Sequence, residues 1–275
     1  MDTQTLSLVE KLAGWQMEQP KIFSLFHIIF FVCILGATFL VVYFFKNCTE
    51  KTMKIVVLVI WLLFVIMEIF KQIIRSYQYG YFKYNWTEFP FQFCETPLYI
   101  LPILLLNKNK KFQNILISFF ATYVMFAGFA LITLPFTGFT RYVILNVRTL
   151  LAHGFQFMIG TFLFAWNRNN MNLKSFLYGC IIFLIVVVIA ITFNSIVDPK
   201  VEAEVNMFFL NPKYETTLLI MKRIQPHVHW IIFDLLYIVF FTIIAYLTLF
   251  VEYLVWYICS IIQLKVEKSK KLNCL

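Results

Sequence analysis

The sequence predicts an all-α polytopic membrane protein, a bundle of seven transmembrane helices. Hydrophobic residues make up 61% of the 275 positions and charged residues only 13%, whereas about a quarter of the residues in an ordinary soluble domain are charged. The mean hydropathy is +0.80, and the apolar residues form repeated stretches close to the roughly 20 residues that a membrane-crossing helix needs. These observations exclude a soluble globular fold, and the high hydrophobicity excludes a disordered chain.

The apolar stretches define the predicted transmembrane spans. In chain order they cover residues 22–45, 55–74, 90–106, 112–134, 147–166, 175–196 and 230–263. The third is short, so we expect it to be tilted or to begin irregularly at Pro90, and the seventh is long enough to continue into an interfacial helix. Segment 197–229 contains three prolines and is predicted to form an extramembrane cap or a short re-entrant piece. The whole chain, 1–275, is expected to be one domain.

The formal net charge is +9, and in a chain this apolar it indicates basic loops at a membrane surface rather than a nucleic-acid partner. An odd number of spans places the two termini on opposite sides. We call the side of the N-terminus side A and the other side B. The shorter connections of side B are richer in lysine and arginine, which predicts a cell-membrane protein with its N-terminus outside and its C-terminus in the cytoplasm.

Cysteine usage gives no sign of a disulfide framework or a metal site. The six cysteines are scattered through the chain, without a CxxC pair and without the spacing of zinc ligands. We therefore expect neither a metal nor a cofactor.

Polar residues within the apolar spans are the clearest functional signal, because an ionisable group in a bilayer is costly and needs a partner or a role. The residues in question are His27, Glu68, Lys71, Cys94, His153 and Asp234. At a helical rise of about 1.5 Å per residue, five different spans place such a group about 8–10 Å from their side A ends. Only Glu252 lies toward side B. The pattern predicts one polar pocket in the side A leaflet, to which we add Gln92 beside Cys94.

Each of these residues also has a structural interpretation. Glu68 and Lys71 are three residues apart and can pair on one helix face. Cys94 by itself resembles a small buried hydrophobic residue, and Asp234 could solvate the start of its helix. Taken together, however, Cys94 and His153 could act as nucleophile and base, since a thiolate attacks an acyl carbonyl and an imidazole can remove the thiol proton. A membrane transporter or solute-binding component, in which the same pocket binds a solute or relays protons, is the alternative.

Several segments resemble a known family. Residues 89–94, with the sequence FPFQFC, resemble the start of span three in YwaF-type bacterial integral membrane proteins, whose eukaryotic relatives are seven-span acyltransferases acting on ether phospholipids. Further resemblances follow the family's order at 23–27 (FSLFH), 68–71 (EIFK), 128–135 (GFALITLP), 150–154 (LLAHG) and 206–210 (NMFFL). Together they extend over most of the chain, so the resemblance rests on six motifs in order rather than on one.

The resemblance implies an acyltransferase, or a thioester-forming lipid hydrolase, that acts on the acyl chains of membrane phospholipids. Cys94 would be the acyl-accepting nucleophile and His153 its base, and His27, Glu68 and Lys71 would complete the pocket. One residue departs from the family's pattern, because Glu95 follows the cysteine where a small or neutral residue is more usual. A carboxylate there would oppose thiolate formation. We therefore predict that Glu95 points toward the side A surface or toward Lys71, and that His153 points at the thiol.

Overall fold

The computed structural model describes residues 3–80, 84–135 and 138–272, so Cys274 lies outside the described part. The regular elements of these residues are helical. The α-helices are α1 (Thr3–Gly14), α2 (Leu25–Phe45), α3 (Glu50–Gln78), α4 (Pro97–Leu106), α5 (Lys110–Phe119), α6 (Met125–Thr133), α7 (Val143–Asn167), α8 (Leu173–Val197), α9 (Met221–Ile224) and α10 (Trp230–Leu272). A π-helical segment, Phe120–Val124, joins α5 to α6 into one continuous rod.

Six helical rods are long and apolar enough to cross a membrane, and the polytopic all-helical class is therefore confirmed. They are α2, α3, the α5–α6 rod, α7, α8 and α10, and each overlaps one predicted span. The remaining predicted span, the third, corresponds to a shorter apolar element at Phe93–Leu106. The amino-terminal helix α1 was not predicted.

The third span is not helical throughout, because its regular α-helix begins only at Pro97. The prediction placed it at 90–106, but the structure has a 3₁₀ turn at Phe93–Glu95 and then the ten-residue helix α4. Ten helical residues rise only about 15 Å, roughly half of the hydrocarbon thickness of about 30 Å. Irregular backbone at membrane depth is tolerated where protein buries it or where it lines a cavity. Cys94 therefore lies on a backbone segment that the other helices must enclose.

Hydrogen bonds between the connections show which of them lie at the same end of the bundle. At one end the Trp166 indole donates to the backbone oxygen of Cys48 at 3.0 Å, and the Lys54 amine lies 3.5 Å from that of Asn107. At the other end the amide of Met17 donates to the carbonyl of Arg141 at 2.8 Å. The connections thus segregate in the manner predicted for sides B and A.

Helix α7 lies at the centre of the bundle and packs closely against α6 and α2. A Cβ atom added to Gly160 would lie 2.5 Å from the Cβ of Met125, and one added to Gly128 would lie 2.5 Å from the backbone nitrogen of Phe157. On another face, Gly154 faces the side chain of Ile34, 2.7 Å from where its own Cβ would be. Small residues allow such close approach between membrane helices, and this places the polar side chains of α7 inside the bundle.

The inner part of the predicted cap is packed into the bundle. Val205, Met207 and Phe208 are fully buried, and the Asn194 side chain bonds both the amide and the carbonyl of Met207, at 2.7 and 3.0 Å. Phe208 and Phe209 adopt left-handed backbone angles, with φ of 58° and 59°. Non-glycine residues adopt this conformation only where surrounding contacts hold them there. Segment 205–210 is therefore a fixed part of the bundle.

Candidate functional site

A buried network of four charged side chains joins α3, the turn before α4, and α7. The Lys71 amine lies 2.9 Å from Glu68 Oε1 and 2.5 Å from Glu95 Oε1. The Arg148 guanidinium lies 2.7 Å from Glu68 Oε2 and 3.3 Å from Glu95 Oε1. Two carboxylates and two cations thus alternate in a charge-balanced cluster, which satisfies the requirement that charges in a membrane interior be paired.

The pairing of Glu68 with Lys71, expected from their spacing, is confirmed, and Glu95 lies toward Lys71, one of its two predicted directions. The second oxygen of Glu95 accepts a 2.9 Å hydrogen bond from the amide of Gln92 and so caps the turn that carries Cys94. A carboxylate that accepts backbone and cationic donors is held firmly in place. The acid beside the cysteine is therefore fully engaged by other partners.

The network continues toward the carboxyl end of α3. The Gln72 amide donates to Glu68 Oε1 and to the backbone oxygen of Glu88, both at 2.7 Å. Arg75, one turn further on, pairs with the Glu88 carboxylate at 3.1 Å. These contacts attach the loop before α4 to the end of α3 and fix the approach of the chain to Cys94.

His153 and Gln156, further along α7, each carry a buried polar atom without a hydrogen-bond partner among the described residues. His153 Nδ1 lies 2.7 Å from the carbonyl oxygen of Thr149, an acceptor, so this nitrogen carries the proton and donates. The neutral ring then has a lone pair on Nε2, and Nε2 is buried without a hydrogen-bond partner among the described residues. Gln156 Oε1, one turn further along α7, is likewise buried with no described partner. Buried polar atoms are normally paired, so these two acceptors mark a place for a donor group.

The turn that carries Cys94 is hydrogen-bonded to α7 through Gln156. The Gln156 amide donates a 2.6 Å hydrogen bond to the backbone oxygen of Cys94, and the cysteine is half-buried with a free thiol. His153 Nε2 forms no hydrogen bond with the thiol, since it has no described partner. The structure brings Cys94 and α7 together, but a thiol–imidazole hydrogen bond is not formed.

Gln92 connects the cysteine turn to the packed-in loop. Its side-chain oxygen accepts from the amide of Phe208 and its side-chain nitrogen donates to the carbonyl of Asn206, both at 3.0 Å. The Phe208 ring also stacks on Phe91, with centroids 5.7 Å apart. Gln92 is therefore a residue that positions the loop, with both ends of its amide already used.

Two predicted pocket residues lie outside the network. Both ring nitrogens of His27 are used: Nδ1 accepts from the amide of Phe23 at 3.0 Å, and Nε2 donates to the carbonyl of Ile132 at 2.7 Å. His27 thus fixes the start of α2 against the end of α6. Asp234 is half-buried and makes no hydrogen bond or ion pair with the described residues. The structure does not join either side chain to the Glu68–Lys71–Glu95–Arg148 cluster.

Sequence reasoning missed Arg148 and Gln156. Arg148 lies inside predicted span five, close to its side A end. An ionisable residue inside a span, only five residues before His153, is a signal that this side chain faces the interior of the bundle. Gln156, at one helical turn from His153, was a weaker signal because a single glutamine in a span has many structural explanations.

The arrangement can support chemistry at a thiol. It provides an imidazole with an available lone pair, a neighbouring amide oxygen, and two cations close to the cysteine turn. A reactive thiolate needs a proton acceptor within reach of the thiol and positive charge around it, and here both cations are already paired with Glu68 and Glu95.

Comparisons with known proteins identify the family. A model of the TMEM164 family matches residues 18–260, which is most of the chain. No curated protein and no solved structure matches. The matched range includes all four members of the charged network as well as Cys94, His153 and Gln156. The chain therefore belongs to the TMEM164 family, a family of membrane proteins.

Proposed function

We propose that this protein is an integral membrane lipid-modifying enzyme, a Cys/His acyltransferase or thioester-forming lipid hydrolase that acts on phospholipid acyl chains. The observation that supports it most directly is the buried, unpaired Nε2 of His153, on the helix that also bonds the backbone of Cys94. The resemblance to YwaF-type proteins and their acyltransferase relatives supports the same activity by analogy.

In the proposed reaction the Cys94 thiol gives its proton to His153 Nε2 and its sulfur attacks the ester carbonyl of a phospholipid. A bond forms between sulfur and the acyl carbon, and the ester carbon–oxygen bond then breaks. The proton on His153 passes to the departing alkoxide, which leaves as a lysophospholipid. An acceptor alcohol, or water in a hydrolase, then attacks the thioester with His153 as base, and this releases the acyl group and restores the thiol.

Two features of the turn that carries Cys94 support the proposal. The cysteine lies in the turn at the amino-terminal end of the apolar element Phe93–Leu106, where the helix dipole stabilises an anion. Lys71 and Arg148 compensate the adjacent Glu95 carboxylate, so it does not oppose the thiolate as a free charge would. The proposed reaction requires the imidazole to come within hydrogen-bond reach of the sulfur, directly or through one water, when substrate is bound.

The proposed substrates are phospholipids that enter from the side A leaflet, because the network lies toward that end of the bundle. We further propose that the protein resides in the cell membrane with its N-terminus outside, which would place the reaction in the outer leaflet. These assignments rest on the distribution of basic residues in the connections.

A transporter or solute-binding component is the second candidate. The observation in its favour is the charge-balanced cluster itself, since paired ionisable residues inside a membrane bundle are typical of proton relays and ion pathways. This function would use Glu68, Lys71, Glu95 and Arg148 and would not need the thiol.

The deciding experiment uses the full-length protein in phospholipid vesicles whose lipids carry labelled acyl chains. The proposal predicts a hydroxylamine-sensitive acyl adduct on Cys94, and transfer of the label to a lysophospholipid or to water. Cys94→Ser should abolish both, whereas the matched control Cys33→Ser, at an exposed cysteine, should change neither. His153→Ala should slow the reaction by about 10²–10⁴-fold, the usual contribution of a general base.

The opposite pattern would decide for the alternative. If Cys94→Ala keeps full function in cells while His153→Ala or Glu68→Ala loses it, covalent catalysis is refuted and the solute-binding function is favoured.

A further inference from the structure

A second polar cluster lies at the side B end of the bundle, away from the candidate active site. The Lys46 amine lies 5.2 Å from the centre of the Trp256 ring, and the Arg168 guanidinium lies 4.3 Å from it. Lys46 follows α2, Arg168 follows α7, and Trp256 is on α10. Three elements that are distant in sequence thus place two cations against one indole, each within the range of a cation–π interaction.

Neither cation is neutralised by a carboxylate among the described residues. Within the described residues, Lys46 and Arg168 form no ion pair, and the only hydrogen bond that Arg168 donates goes to the carbonyl of Ala165, at 3.4 Å. The distances to the shared ring place the two charges within about 10 Å of each other. At that separation they still repel at physiological salt, because the Debye length is about 8 Å and partly buried charges are screened less.

The nearest carboxylate on the same helix does not compensate them. Glu252 is one turn before Trp256 on α10 and is almost completely buried. Both of its oxygens lack a hydrogen-bond partner in the described part of the chain. The two cations therefore have no described carboxylate partner and are available to an anion from outside the protein.

The cluster lies at the level of the lipid head groups. Trp256 is 26 residues after Trp230, which corresponds to about 39 Å along a helix, beyond a hydrocarbon core of about 30 Å. Lys46 and Arg168 are both in short connections of side B, and all three side chains are half-buried. Tryptophan is enriched at this depth because its amphipathic ring suits the interface.

We propose that Lys46, Arg168 and Trp256 form a binding site for the phosphate of an anionic phospholipid in the side B leaflet. Arginine binds phosphate oxygens through its planar set of donors, and lysine adds a second positive charge. Basic pockets between transmembrane helices recognise lipid head groups in this way. The Trp256 ring holds both cations in place before the lipid arrives. This inference does not depend on the proposed acyl-transfer activity.

Native mass spectrometry of the full-length protein in detergent tests the proposal, with phosphatidylglycerol and phosphatidylcholine added in equal amounts. The wild-type protein should retain phosphatidylglycerol preferentially. Each basic residue near an anionic head group contributes about fivefold in binding, so Lys46→Gln combined with Arg168→Gln should weaken retention by about 30-fold. Lys46→Arg combined with Arg168→Lys keeps both charges and should retain most of the binding.

The matched control is Lys111→Gln combined with Lys174→Gln, which removes two exposed lysines from the first turns of α5 and α8 on the same side and should leave retention unchanged. An equal loss of phosphatidylglycerol retention in the control and the test variant would overturn the proposed site. Retention of inorganic phosphate without retention of lipid would overturn it as well. A third result would also overturn it: unchanged lipid retention together with a loss of stability that Glu252→Gln restores, because the cations would then serve Glu252.

Discussion

Glu95 Oε1 lies 2.5 Å from the amine of Lys71, although Glu95 directly follows the cysteine whose thiolate it could oppose. Arg148 approaches the same oxygen from α7 at 3.3 Å, and the other oxygen accepts from the amide of Gln92. The carboxylate thus connects three elements and is compensated by two cations. Its position makes it the part of the network that fixes the cysteine turn.

Breaking this network at one member should be costly. Lys71→Met leaves Glu68 and Glu95 to share Arg148, and removal of one partner from a buried ion pair costs about 3–5 kcal/mol. Lys71→Met combined with Glu95→Gln leaves the Glu68–Arg148 pair at 2.7 Å and keeps the network neutral. We therefore expect the double variant to be more stable than the single variant, as measured by thermal unfolding in detergent.

Lys222→Met is the matched control, because Lys222 pairs with Glu215 through side chains that are 54% and 61% exposed. An exposed pair contributes at most about 1 kcal/mol, so this change should have little effect. A double variant less stable than Lys71→Met would show that the two residues are not coupled as the structure indicates.

Gly160→Ala should destabilise the helix pair at the centre of the bundle. The new methyl group would lie 2.5 Å from the Cβ of Met125 and 2.6 Å from the carbonyl oxygen of Phe120, so the helices would have to separate. Overpacking of this kind typically costs about 1–3 kcal/mol. Gly36→Ala is the control, since nothing lies within 4 Å of its added methyl group, and equal melting temperatures for the two variants would contradict the close packing.

Gln92→Leu should release the packed-in loop. The substitution removes the hydrogen bonds to Asn206 and Phe208, and each contributes about 0.5–1.5 kcal/mol. We expect faster hydrogen exchange at the amides of residues 205–210, while the amides of α7 stay protected. Ser195→Ala, which removes only a bond within its own helix, should leave exchange in the loop unchanged; faster exchange in both variants would mean that Gln92 does not hold the loop.

Membrane orientation is tested by reporter fusions. A reporter that works only in the cytoplasm should be active when fused to the C-terminus. A reporter that works only outside the cell should be active when inserted in the connection between α1 and α2. The physical reason is the retention of short basic connections on the cytoplasmic side. The reverse pattern would place the candidate active site in the cytoplasmic leaflet, and fusions in the 107–109 connection provide an internal check.

The sequence by itself determined the features that depend on local physics. Long apolar stretches predicted the six long rods because a helix must be apolar over the thickness of the bilayer. The three-residue spacing of Glu68 and Lys71 predicted their ion pair, since such residues lie on one helix face. The cost of polar groups in lipid singled out Cys94 and His153 as candidates, and the structure places His153 on α7, the helix whose Gln156 bonds the backbone of Cys94.

Only the tertiary structure decided which distant side chains meet. Glu68 and Arg148 are 80 positions apart, and His27 bonds a carbonyl 105 positions away, so no local spacing could reveal either contact. The same is true of the late start of α4 and of the burial of Phe208 beside Phe91 and Phe93. A polar residue inside a span must find a partner, but helix packing and rotation decide which partner it finds, and these are properties of the whole bundle.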